Sequence, residues 1–161
     1  MFHRIRKEVK NFQSDTSISV VFSELTNRVF IIRFEGPKGS LYEDIVMTMN
    51  LVYPMEYPFK PPNIIFDPCI FHPNIAEDGN LKVGSLVGKD WSPALTTTHI
   101  FLTILSLFFE PFVCEENVVK INNDKGKEEE DAIYECANMS ALDLWRKLPD
   151  QYRQVLVSLY L

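Results

Sequence analysis

The chain has 161 residues, 46% of them hydrophobic and 24% charged, with a net charge of -6. That length and balance suit one globular domain, expected over residues 1–161, with a real hydrophobic core, and they speak against a chain disordered over most of its length. The negative charge argues against a nucleic-acid partner, and no run of about 18 apolar residues offers a membrane span.

In chain order, residues 1–11 predict a short helix. Ile5 and Val9 stand four apart with Phe2 and Phe12 on either side, while Arg4, Lys7 and Lys10 fall on other faces. Those bases read either as a solvated face or as a docking surface for an acidic partner. The opening segment "MFHRIRKEVKNF" has no apolar signal core, so a cytoplasmic or nuclear location is expected.

Four strands follow. "SISVVFSEL" alternates in part, "RVFIIRFEG" is rich in β-branched and aromatic residues, and "NIIFD" is a short run after a proline-dense link. In "DIVMTMNLVYP", Ile45, Met47, Met49 and Leu51 share one face by the period of two. Strands joined by such short turns predict an antiparallel meander. The link "YPMEYPFKPP" holds four prolines in ten residues and must be a stiff, extended loop. Its Phe59 can be a core side chain beneath the loop or an exposed anchor.

After the segment "HPNIAEDGNLKVGSLVGKDWSPAL" comes "TTTHIFLTILSLFFEPF". Thr96, Thr97 or Thr98 can cap a helix starting near His99. Phe101, Leu102, Leu105, Phe108 and Phe109 give it a wide apolar face, and Pro111 stops it. "NNDKGKEEED" reads as a loop and the first turn of a further helix. The remainder reads as one or two C-terminal helices, with Leu144, Leu148 and Tyr152 at i, i+4, i+8 and a break at Pro149. Cys69, Cys114 and Cys136 lack metal spacing and suit a reducing compartment as plain thiols, and His3, His72 and His99 are scattered. No metal and no cofactor is expected.

The series basic helix, meander, "YPFKPP", "HPNI", "WSPAL" and long apolar helix closely resembles the ubiquitin-conjugating enzyme family, from about residue 3 to residue 111. The resemblance implies an α+β fold with an N-terminal helix, a four-stranded antiparallel meander, a central helix and C-terminal helices. The eleven residues between Gly79 and Trp91 fit the longer version of this loop, like that of family members working with RING-between-RING and HECT ligases.

Family members act through a cysteine three residues after the glycine of this motif. Here that position is Lys82, and no cysteine occurs from 70 to 113. A thiolate attacks and leaves readily, so a thioester both forms and reacts. A lysine amine is mostly protonated at neutral pH and would form an isopeptide, which does not turn over. By the resemblance Asn74 would donate a hydrogen bond to the oxyanion, His72 would organise the turn, and Glu115 falls near the acidic residue that orients an incoming lysine. Phe112 stands where an asparagine is usual. Ligases of this family grip the residues matching Phe59, Ser92, Pro93 and Ala94 and the helix face around Arg4 and Lys7, which favours the exposed-anchor reading of Phe59.

The expectation is therefore a non-catalytic variant that binds a ubiquitin ligase of RING, HECT or RING-between-RING type. Ubiquitin or a ubiquitin-like modifier, the activating enzyme and an active conjugating enzyme are further partners the resemblance allows. The alternative is an active ubiquitin-protein transferase in which Lys82 was introduced in place of the catalytic cysteine to trap a stable isopeptide.

Overall fold

The structure, a computed structural model, describes residues 2–14, 20–88, 90–111 and 138–161. Helix α1 (Phe2–Ser14) opens the chain and runs three residues past the predicted end. Strands β1 (Val20–Thr26), β2 (Val29–Glu35), β3 (Val46–Val52) and β4 (Asn63–Phe66) form one antiparallel sheet in the order β1-β2-β3-β4. The meander is the one expected. Residues 17–19, assigned to the first strand from sequence, lie outside the described residues.

The period of two puts one side of the sheet indoors. Phe30, Ile32 and Phe34 of β2, Met47, Met49 and Leu51 of β3, and Ile64 and Phe66 of β4 are all buried. Registers such as Ile32↔Met49 and Leu51↔Ile64 align these side chains in rows across the strands. Each fully buried side chain of this kind contributes about 1.5–3 kcal/mol over leaving it in water.

Helix α3 (Thr97–Leu107) packs on that face. Phe101 meets Phe34 edge-on at 5.1 Å, and Phe12 of α1 meets Phe101 at 5.3 Å. Two details differ from the sequence reading. The helix begins at Thr97, because Thr96 caps it: its hydroxyl accepts from the His99 N–H, and the His99 ring receives the Thr96 N–H in return. The buried face is also rotated. Thr97, Ile100, Phe101, Ile104 and Leu107 face the core with Phe108 beyond them, whereas Leu102 and Phe109 are exposed. A helix apolar on nearly every side gives no single stripe, so the sheet selects the face.

A short helix α2 (Gly84–Val87), not foreseen from sequence, interrupts the loop before α3. Beyond Pro111 the chain is described again in α4 (Met139–Lys147) and α5 (Pro149–Tyr160). The break at Pro149 is where proline at the first helical position predicts it. Leu148 is exposed rather than continuing a stripe with Leu144 and Tyr152, because the backbone leaves the helix at that residue, with φ -143° and ψ 67°.

Tyr152 of α5 and Tyr42 reach the same point: their hydroxyls, hydrogen-bonded to each other, lie 2.6 Å and 2.8 Å from the Phe71 carbonyl. The Tyr160 hydroxyl accepts from the Phe71 N–H at 2.8 Å and donates to the Cys69 carbonyl at 3.0 Å. Three tyrosines thus fix the strand of chain that leads into His72. Among the described residues no helix is long and apolar enough to cross a membrane.

Candidate functional site

The "HPN" segment forms a turn built from the inside. His72 and Asn74 are both almost fully buried. The His72 Nε2–H donates to the Leu107 carbonyl at 2.9 Å, one of the carbonyls that the end of α3 leaves without a helical partner. Its Nδ1 accepts the Asn74 N–H at 2.9 Å. One nitrogen donating and the other accepting defines a neutral ring. Burial pushes its pKa down to about 4, against the opposing pull of the Leu107 carbonyl. Tyr42, Phe108 and Trp145 surround the ring, with centroids 5.4–5.9 Å away.

From Asn74 the chain passes through Ile75, whose N–H returns to the His72 carbonyl at 3.0 Å, to the turn at Gly79. Gly79 has φ +82°, and a Cβ there would lie 2.2 Å from the Phe66 carbonyl oxygen, so only glycine fits. The Asp78 carboxylate accepts from the Asn80 N–H at 2.9 Å and from its side-chain amide at 2.7 Å, which holds the Asp78 pKa below the usual carboxylate range. The Lys82 N–H then donates to the Asn74 carbonyl at 2.8 Å. Backbone pairing therefore sets Lys82 beside Asn74, while its side chain is exposed.

Past Lys82, Val83 and Ser85 line a groove of about 540 Å³ with Thr103, Ser106 and Phe109. Cys69 is half-buried, its thiol 3.2 Å from the Ala76 carbonyl, and burial pushes its pKa up. Glu115, Phe112, Cys114 and Cys136 lie outside the described residues. Among the described residues no cluster of His, Cys, Asp and Glu is arranged to hold a metal ion.

The second group of candidate residues lies on two neighbouring loops. Phe59 is 81% exposed, which excludes a core side chain beneath the loop. Its N–H is tied to the Glu56 carbonyl at 2.8 Å, in a turn that the flanking prolines stiffen. Ser92, Pro93 and Ala94 are also exposed, and the Leu95 N–H closes their turn on the Ser92 carbonyl at 3.0 Å. The Trp91 indole N–H donates to the Pro58 carbonyl at 2.8 Å, so the loops are joined directly.

Lys7 is exposed, but Arg4 is half-buried rather than free on the helix face. Its guanidinium is drawn to Glu8, at 2.7 Å, and to the carbonyls of Pro93 and Leu95. A planar fork of five donors fits such a set of acceptors. Sequence reasoning passed over Glu8 itself. The signal was present: residues 5, 8, 9 and 12 fall on one face of a helix, so a glutamate shares the stripe of Ile5, Val9 and Phe12.

A sheet of four antiparallel strands with one helix before it and one packed across it, entered by a His-Pro-Asn turn, defines the ubiquitin-conjugating class of α+β domain. A family model for ubiquitin-conjugating enzyme matches residues 4–139, and the chain belongs to that family. It is accordingly a protein of the ubiquitin-conjugation pathway, whose family members interact with ligases and with ubiquitin.

Proposed function

We propose that this chain is a non-catalytic family member that modulates ubiquitin transfer by binding, and that its principal contact is a ubiquitin ligase gripping Phe59, Ser92, Pro93 and Ala94. The observation that carries the first half is Lys82. It occupies the nucleophile position, three residues after Gly79, with its backbone held at Asn74. An amine there lacks the leaving-group ability that a thioester carrier requires. The exposure of Phe59 supports the second half, since a large aromatic side chain in solvent on a stiff loop is what a ligase pocket would take.

Incubation with activating enzyme, ATP and ubiquitin tests the reading. The chain forms no ubiquitin adduct that a reducing agent removes. A thiol-sensitive adduct overturns the proposal and directs attention to Cys69, Cys114 and Cys136.

A second reading, an active transferase whose cysteine was exchanged for Lys82, draws on the well-formed turn at Asn74. The genomic codon for position 82 separates the two: a cysteine codon establishes the exchange, and a lysine codon the natural variant.

A further inference from the structure

Among the described residues Glu8 is the only buried carboxylate, 8% exposed. A carboxylate out of water is costly unless charge and hydrogen bonds compensate it. Here four donors do so. Oε1 takes the Arg4 Nε–H at 2.7 Å. Oε2 takes the Tyr57 hydroxyl at 2.7 Å, the Thr97 N–H at 3.1 Å and the Thr97 hydroxyl at 3.3 Å. The Tyr53 hydroxyl stands 2.6 Å from that of Thr97 and extends the chain of bonds.

The partners come from separate parts of the chain. Tyr57 lies two residues before Phe59. Thr97 opens α3 directly after the Ser-Pro-Ala turn. Arg4, besides holding Glu8, reaches the Pro93 and Leu95 carbonyls on that turn and lies 5.5 Å over the Tyr57 ring. One carboxylate therefore ties the Phe59 loop to the Ser-Pro-Ala loop through α1. A direct bond also joins these loops, from the Trp91 indole N–H to the Pro58 carbonyl.

We propose that Glu8 is the positioning residue of the docking patch: without touching a ligase, it sets the spacing between Phe59 and Pro93–Ala94 to which the ligase must be complementary. The inference rests on the docking reading above and adds the device that pre-organises the surface. Ordering two loops before binding removes an entropic cost from the binding step itself. Loss of that order weakens affinity although every contact side chain is still present.

The test is a double-mutant cycle in the full chain. Binding is measured at 25 °C against a panel of purified RING and HECT ligase domains, and the tightest binder is carried forward. Glu8→Gln keeps the volume but turns an amide N–H toward a donor, and it weakens binding about tenfold while the circular dichroism spectrum is unchanged. Phe59→Ala alone weakens it about thirtyfold. If Glu8 acts by placing Phe59, the double variant falls well short of the roughly 300-fold product of the two.

An effect that reaches the full product, or unchanged binding by a folded Glu8→Gln, overturns the inference. If Glu8→Gln does not fold, Tyr57→Phe replaces it in the same cycle, since it deletes one donor and leaves Arg4 and Thr97 on the carboxylate. Failure of the docking reading has its own signature: no panel member binds the parent chain, or Phe59→Ala binds as the parent does.

Discussion

His72, Asn74 and Ile75 sit inside the core, whereas Phe59, Ser92, Pro93 and Ala94 stand in solvent. The contrast bears on what each group can reveal about function. The His-Pro-Asn turn is fixed from below by Leu107, by Tyr42 and Trp145, and by the tyrosine hydroxyls on Phe71. Its geometry therefore has a folding reason that is independent of any nucleophile, and a well-formed turn does not imply a working one. The two loops have no comparable folding reason for displaying a phenylalanine. Their exposed residues contribute little to the core, yet they rest on a saturated buried carboxylate.

Substitutions in the first region are therefore expected to register mainly as lost stability and those in the second as lost binding. The largest effect is expected at the hinge of the turn. Gly79→Ala places a methyl 2.2 Å from the Phe66 carbonyl in a left-handed backbone and destabilises the fold by about 3 kcal/mol or more in urea titration. A loss below about 1 kcal/mol would show that the turn is loose and would erase the contrast.

The next effect is one of pH. His72 has a pKa of about 4 in the folded chain against an ordinary value of 6.5. Above pH 6.5 both folded and unfolded chains hold the ring neutral, and its contribution is fully present. Between pH 6.5 and pH 4 only the unfolded chain takes up the proton, so stability falls with falling pH, by about 3 kcal/mol across that window. Urea midpoints of the parent and of His72→Asn, measured from pH 7.5 to pH 4, check the sign. The variant is the less stable at pH 7.5, and its curve is flatter through the window. Parallel curves would mean that the ring titrates in solvent.

The smallest change in free energy, and the most selective, belongs to the second region. Phe59→Ala lowers ligase affinity by about 2 kcal/mol and leaves the melting temperature within a degree or two of the parent. A large drop in melting temperature would return Phe59 to the core and dissolve the distinction between the regions.

Much of this was legible in the sequence because it rests on local rules. Ile45, Met47, Met49 and Leu51 obeyed the strand period and Pro149 marked a helix start, whereas the link around Phe59, read as extended, is coiled into turns over residues 55–59 by bonds such as Phe59 N–H to the Glu56 carbonyl. What escaped depends on contacts between distant residues. The core face of α3 could not be chosen among Ile100, Leu102, Ile104 and Phe109 without the sheet that selects it. Arg4 looked like a free surface base until Glu8 and the Pro93 carbonyl, 89 residues away, claimed its guanidinium. Position 82 was the reverse case: one residue read against a motif carries the proposal, and the fold holds its backbone at Asn74 while its side chain is exposed.

The proposed site keeps its frame and lacks its nucleophile. Charging with activating enzyme, ATP and ubiquitin, run side by side on the parent chain and on Lys82→Cys, tests this most directly. A reductant-sensitive ubiquitin adduct is expected on Lys82→Cys and none on the parent. A reducible adduct on the parent, or a folded Lys82→Cys that never charges, would contradict it.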